Sequence, residues 1–216
     1  MARRTRPAES PRSNALAPRR VPTQRRARET VSLILDTTAE LLDEVGVDTF
    51  TTNLLAERAG IRVSTVYRYY PNKLAVIVAL AERLAEEWDA WFEGWEPLAD
   101  PERDLLESYE LLLDRWVERI QNQPGGMAIR RAMQALPELR DVERRDNDGL
   151  ARSFSKALRA RGVRVPPKRL QTAGRMLLDT AAAVAGEMLI RGSATARSSF
   201  EELKQMHRAY LERILA

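Results

Sequence analysis

The sequence predicts an all-α fold of about nine helices, three short or medium ones followed by a larger helical body. Three observations carry this. Apolar residues recur three or four positions apart through successive segments from about Gln24 onward, the spacing that lines one face of a helix. Gly and Pro separate those segments, where they stop or start helices. No alternating apolar–polar run reads as a strand, and no repeat with a period of about 20–50 residues is visible.

Residues 1–22 contain Pro7, Pro11, Pro18 and Pro22 among Ser, Ala and Arg, a composition that predicts a disordered arm. No apolar stretch follows its Arg pairs, so it does not read as a secretory signal. The first helix is expected over Gln24 to Val45, with Val31, Ile34, Leu35, Leu41, Leu42 and Val45 on one face and Gly46 as its stop. Thr51 and Thr52 offer N-caps for a short helix to Ala59. After the turn at Gly60 to Arg62 a second short helix runs from Val63 to Tyr70, broken by Pro71. The long fourth helix starts near Asn72 and carries a seam of Leu74, Ile77, Ala81, Leu84, Trp88, Trp91 and Trp95. Asp100-Pro101 reads as cap and first residue of the fifth helix, whose stripe is Leu105, Tyr109, Leu112, Trp116 and Ile120. A short sixth helix, Met127 to Gln134, and a charged seventh, Glu138 to Arg161, precede Gly162. The eighth runs from Pro167 to Arg191, and the ninth opens on a capping box, Ser199-x-x-Glu202.

Composition narrows function. The chain has 216 residues, no Cys and one His. It therefore carries no disulfide scaffold, Cys-ligated zinc or thiol nucleophile, and no multi-His metal centre. No apolar run approaches the roughly 20 residues that span a bilayer. Glu86, Glu87 and Asp89 read as a solvated helix face, and no nucleophile motif, phosphate loop or metal-ligand spacing appears. No enzymatic activity, cofactor or metal is expected. The net charge of +4 is uneven: residues 1–28 hold nine Arg against Glu9, which is +8 and leaves −4 for the rest. Basic arms of this kind often engage nucleic acid.

The informative stretch is Thr51 to Lys73, TTNLLAERAGIRVSTVYRYYPNK. Two short helices joined by a tight turn bury little alone, and their use is geometric. The first braces the second, which fits a DNA major groove about 12 Å wide. Thr51, Thr52 and Asn53 stand where amides at a helix start favour a phosphate. Arg62 suits a phosphate or a guanine edge. Val63, Ser64, Thr65 and Arg68 are candidates for base edges: Val63 or the Thr65 methyl against thymine, Arg68 against guanine. Val66 and Tyr69 read as core. Between Glu29 and Leu80 only Arg58, Arg62, Arg68 and Lys73 oppose seven acids, a net −3 that the arm turns to +5 over residues 1–80. Arg19, Arg20, Arg25, Arg26 and Arg28 are therefore expected at the DNA backbone or a flanking minor groove.

Gly46 to Leu74 resembles the DNA-binding region of the TetR family of bacterial transcriptional regulators. The matching residues are Thr51-Thr52, Leu55-Ala56, Ala59-Gly60-Ile61, Thr65-Val66-Tyr67, Tyr69-Tyr70 and Asn72-Lys73. Arg62, Ser64 and Tyr70 depart from the family's usual small polar residue, Gly and Phe. Arg62 cannot cap the recognition helix as Ser does, so either Ser64 caps one turn later or the helix starts more loosely. The resemblance implies phosphate contacts for Tyr67 and Lys73. It implies three parts: an arm (1–22), a helix-turn-helix domain (23–72) and a helical effector-binding and dimerisation domain (73–216). It further implies a cytoplasmic homodimer, paired through the last two helices and bound to a palindromic operator in double-stranded DNA. Ala181, Ala185, Met188, Leu203, His207, Tyr210 and Ile214 are the expected interface. A small, mostly apolar effector is expected to release a repressor from that operator, in a pocket drawn from Trp88, Phe92, Tyr109, Trp116, Met127, Met133, Met176 and Asp179. Arg175, four residues before Asp179, is its expected salt-bridge partner. The rival readings are a ligand-independent DNA-binding dimer, whose core holds no sizeable cavity, an all-helical enzyme, and a purely structural helical adaptor.

Overall fold

The computed structural model describes residues 16–20 and 22–215. The expectation of a disordered arm falls mostly on residues 1–15 and 21, outside the described residues. Nine α-helices and no strand occur among the described residues: α1 Arg25–Thr49, α2 Thr52–Arg58, α3 Val63–Tyr69, α4 Lys73–Glu93, α5 Leu105–Asn122, α6 Gly126–Ala135, α7 Arg140–Ala160, α8 Pro167–Arg191 and α9 Ala194–Leu215. Single 3₁₀ turns lie at Glu96–Leu98 and Pro137–Leu139. The chain divides into two compact units between Ala81 and Glu82, inside α4.

In the first unit the first helical run of α1 ends at Gly46, as expected, and a further turn follows it. The helix breaks there, with Gly46 at φ 72°, and resumes through Thr49. A positive φ favours glycine because it has no Cβ to clash. Ile34, Leu41, Phe50, Leu55 and Val66 are fully buried and pack α1, α2 and α3 around one core. Pro71 ends α3, and Asn72 opens α4 by accepting the Ala75 amide on Oδ1 at 2.8 Å.

In the second unit α8 packs against both α7 and α9. Gly174 permits the α7–α8 approach: a Cβ there would lie 2.8 Å from Phe154. Two helix starts differ from expectation. Asp104, not Asp100, caps α5 by accepting the Glu107 amide at 2.8 Å, while Asp100 binds the Glu102 amide in the preceding turn. Ser193, not Ser199, caps α9 by accepting the Ala196 amide at 3.1 Å. Ser199 lies inside the helix and donates to the Thr195 carbonyl.

Candidate functional site

The first candidate surface is built by α2, α3 and the segment before α1. Thr51 stays exposed and spends its side chain on the cap of α2, accepting the Leu54 amide at 3.1 Å. Thr52 is buried, and its Oγ1 meets the Tyr67 hydroxyl at 3.0 Å, tying α2 to α3. Tyr67 remains 40% exposed. Asn53, Arg62, Ser64 and Arg68 are exposed, and Val63 and Thr65 half-buried. Val66 and Tyr69 are buried. Arg62 is the N-cap residue of α3 but makes no side-chain cap bond. Ser64 lies within the helix and does not start it one turn later.

The basic residues divide by what holds them. Arg58 forms a two-pronged pair with Glu44, 2.8 Å on each prong. That pairing raises the guanidinium's pKa and lowers the carboxyl's. Lys73 Nζ donates to the Val47 and Phe50 carbonyls at 3.4 and 3.3 Å, across the broken end of α1. Arg25 pairs with Glu29 at 2.8 Å on an exposed face, Arg28 donates to the Thr23 carbonyl, and Arg26 is exposed. Arg19 is exposed and donates to Tyr67 O at 3.0 Å.

The second candidate site is a narrow apolar cavity of about 40 Å³ within the second unit. Trp88, Phe92, Tyr109, Trp116 and Met133 line it, as expected, and Trp91 and Phe154 join them. Three expected residues do not. Met127 is half-buried outside it. Met176 is 51% exposed, because its position on α8 faces away from α5 and α7, and its sulfur lies near the Tyr210 hydroxyl. Asp179 borders an adjoining open groove of about 540 Å³, held by Arg175 at 2.8 Å and Asn147 Nδ2 at 2.8 Å.

Sequence reasoning missed the polar wall of that cavity. Arg130 is 5% exposed, donates to Glu143 Oε1 at 3.0 Å, and lies 5.3 Å from the Trp116 ring centre. Such burial requires a paired charge. The partner comes from another helix, so no local spacing announces it. Arg130, Met133, Glu143, Asn147 and Ala182 line both cavity and groove, which therefore adjoin through a polar rim.

A chain of hydrogen bonds runs outward from Tyr109 in the cavity wall. The Tyr109 hydroxyl meets His207 Nδ1 at 2.9 Å, His207 Nε2 meets Thr180 Oγ1 at 2.8 Å, and Thr180 donates to the Met176 carbonyl at 2.7 Å. Thr180 spends its proton on the carbonyl, which assigns Nε2–H as donor to Thr180 and the Tyr109 hydroxyl as donor to Nδ1. This needs a neutral ring, and burial lowers the His207 pKa to about 4. Burial also pushes the Tyr109 phenol up.

This placement bears on the expected interface residues. His207 is 2% exposed, and Ala181, Ala185, Leu203 and Ile214 are likewise buried within the chain. The seam of α9 packs against α8 and α5 of the same chain, and these five residues keep little exposed surface there. Met188 and Tyr210 keep partial exposure, and Met206 is 53% exposed.

Residues 34–80 match the model of bacterial regulatory proteins of the tetR family. Residues 103–215, more than half of the chain, match the tetracyclin repressor-like C-terminal domain. The chain is 34% identical over 91 residues to the HTH-type transcriptional repressor KstR of Rhodococcus jostii, covering 42% of this chain and 41% of that one. It is 48% identical over 48 residues to the class A tetracycline repressor from transposon 1721 of Escherichia coli, 22% of each chain. These matches span well under half the length of either relative. A solved TetR-family transcriptional regulator from Streptomyces coelicolor aligns over 86% of this chain and 99% of its own, with TM-score 0.64 and 26% identity. The multidrug binding protein EbrR, solved with imidazole, shares the fold over 86% of this chain and 94% of its own, with TM-score 0.61 and 21% identity.

Proposed function

Because the chain belongs to the TetR family of bacterial transcriptional regulators, we propose that it is a repressor that reads a palindromic operator and is released by a small, mostly apolar effector. The observation that carries the DNA half is the brace between α2 and α3. The Thr52–Tyr67 bond and the buried Val66 and Tyr69 hold one side of α3, while Arg62, Ser64 and Arg68 stay exposed on the other. In this reading Val63, Ser64, Thr65 and Arg68 read base edges, with Thr51, Asn53, Arg62 and Tyr67 near phosphates. Thr52 and Lys73 act from behind: Thr52 orients Tyr67, and Lys73 closes the end of α1. Arg25, Arg26 and Arg28 add charge from the first turn of α1.

The dimer is proposed on the outer face of α8 and α9, where Met176, Met188, Met206 and Tyr210 carry exposed or half-exposed apolar surface. A two-fold pair fits a palindrome with half-sites one helical turn apart or a multiple of it. The effector would occupy the aromatic cavity, entering from the groove rimmed by Arg130, Glu143 and Asn147. A water needs roughly 10–15 Å³ of such space, so a cavity of about 40 Å³ admits roughly three or four waters and must widen for a ligand. Binding to the widened form shifts the population toward it by the differential affinity. α4 begins in the first unit and ends in the second, and is the covalent route for that shift.

The narrowness of the cavity favours a second reading, a DNA-binding dimer that takes no effector. One experiment separates the two. Purified protein selects duplexes from a random pool, and the recovered site is titrated with apolar ligands. A palindromic site released by a ligand supports the first reading. A site indifferent to every ligand supports the second, and recovery of no site refutes both.

A further inference from the structure

Asn147 on α7 is 7% exposed, and it borders both the aromatic cavity and the groove. Its side-chain amide is planar, with a donor on one arm and an acceptor on the other. Nδ2 donates to Asp179 Oδ1 at 2.8 Å. Asp179 is in turn held by Arg175 at 2.8 Å. A carboxylate paired with a guanidinium accepts hydrogen bonds and gives none, so it admits only the Nδ2 arm and fixes which way the amide points. Asp179 borders the groove but not the cavity. With Nδ2 turned to the groove, the planar amide turns Oδ1 the other way, toward the junction with the cavity. That oxygen accepts no hydrogen bond among the described residues. A buried amide oxygen without a partner is costly, and is ordinarily met by water or by a ligand.

The rim beside Asn147 selects the group that meets it. Arg130, which is buried, and Glu143 line the same two spaces. An ammonium could donate to Asn147, but it would bring a second cation against a guanidinium that burial holds in place. A carboxylate has no proton to give Asn147 and would have to displace Glu143 from Arg130. A hydroxyl is neutral, small and able to donate. The remaining wall, Trp88, Trp91, Phe92, Trp116 and Phe154, takes the apolar body. We infer that Asn147 is a specificity-determining residue of the effector site, whose Oδ1 accepts a hydrogen bond from the hydroxyl of an apolar alcohol or phenol. Asp179 is the residue that positions it, acting through Asn147 from the groove side. The inference rests on the effector-binding function proposed above and narrows its ligand to one chemical class.

The test is calorimetric titration of the full-length protein with 4-ethylphenol, 1-hexanol, 4-ethyltoluene and 4-ethylbenzoate. In 4-ethyltoluene a methyl group stands where the phenol carries its hydroxyl, at nearly the same size. Transfer from water favours the methyl compound, so a preference for the phenol reports a hydrogen bond. 4-Ethylphenol should bind about tenfold tighter than 4-ethyltoluene, or more. The tighter of 4-ethylphenol and 1-hexanol tells which body the aromatic wall prefers, and either supports the class. Asn147→Leu keeps a side chain of similar size and removes the acceptor, so the phenol should lose its advantage while 4-ethyltoluene binds no weaker. Asp179→Ala frees the Asn147 amide to turn and should cut the advantage in part. Thermal melting checks the fold of both variants, and Asp179 is exposed, so its variant tests the inference even where Asn147→Leu does not fold. Equal or tighter binding of 4-ethyltoluene means that Oδ1 is met by water only. That overturns the inference, while the effector reading stands on the binding itself. An advantage for the phenol that survives Asn147→Leu overturns the role of Asn147. Tightest binding by 4-ethylbenzoate overturns the class in favour of an acid at Arg130. If none of the compounds binds, the inference falls, and titration of the selected operator with other ligands decides the effector reading separately.

Discussion

His207 is the only histidine in the chain, which makes its burial measurable. The ring lies between Tyr109 and Thr180, neutral, with a pKa lowered to about 4 from an ordinary 6.5. Between these values the unfolded chain binds a proton that the folded chain refuses, so stability rises with pH across that window. The contribution is complete above about pH 6.5 and is lost progressively as pH falls toward 4. At about 1.36 kcal/mol per unit the whole difference is about 3 kcal/mol, of which about 2 kcal/mol is gone by pH 5. Carboxylates titrate in the lower part of this range too, and a control must remove them. His207→Gln does so, because it deletes the one imidazole and leaves every carboxylate in place. Urea unfolding is followed for both proteins at several values between pH 8 and 5. The wild type should lose about 2 kcal/mol more than the variant over that interval. Parallel pH profiles would refute the reasoning, since a ring free to protonate in the fold contributes no such difference.

Three further outcomes follow from particular contacts. Thr52→Val removes the hydroxyl that holds Tyr67 and should change stability by no more than about 1 kcal/mol, yet weaken operator binding in a gel-shift or anisotropy titration; unchanged affinity would separate Tyr67 from DNA contact. Gly174→Val drives a branched side chain into Phe154 and should lower stability by about 1–3 kcal/mol, as read by urea midpoint, the overlap outweighing any gain in helix propensity. Met206→Asp places a charge on the exposed face of α9 and should convert a dimer to monomer in sedimentation without lowering the melting temperature of the monomer; an intact dimer would move the interface elsewhere.

The sequence made the helices legible wherever their punctuation was unambiguous. α8 begins at Pro167 and ends at Arg191 because Pro166-Pro167 and Gly192 leave no competing boundary. The starts of α5 and α9 were harder, since each offers two good caps. Asp104 prevails over Asp100, and Ser193 over Ser199, where each lies directly before the helix that packs. Trp88, Phe92, Tyr109 and Trp116 could be drawn to one cavity because helical spacing puts them on inward stripes. Arg130 could not, because only the packing of α6 against α7 supplies Glu143. The interface residues are hard to read for a similar reason. An apolar stripe shows that a helix buries a face, not what it buries that face against, and the stripe of α9 is taken up inside its own chain.

That last point links the cavity to the proposed dimer more closely than shared lining would. Tyr109 forms part of the cavity wall, and its hydroxyl is the first member of a chain that ends on the α8 backbone at Met176. Met176 in turn presents its side chain on the outer face beside Tyr210. In the proposed effector reading, a ligand that displaces Tyr109 must break or move the His207 bonds, and a buried imidazole is disfavoured both by loss of the donor to Nδ1 and by protonation. The least disruptive response is for α5, α8 and α9 to move with the ring. In that proposed reading, the bonds of His207 connect the cavity wall at Tyr109 to the α8 backbone at Met176.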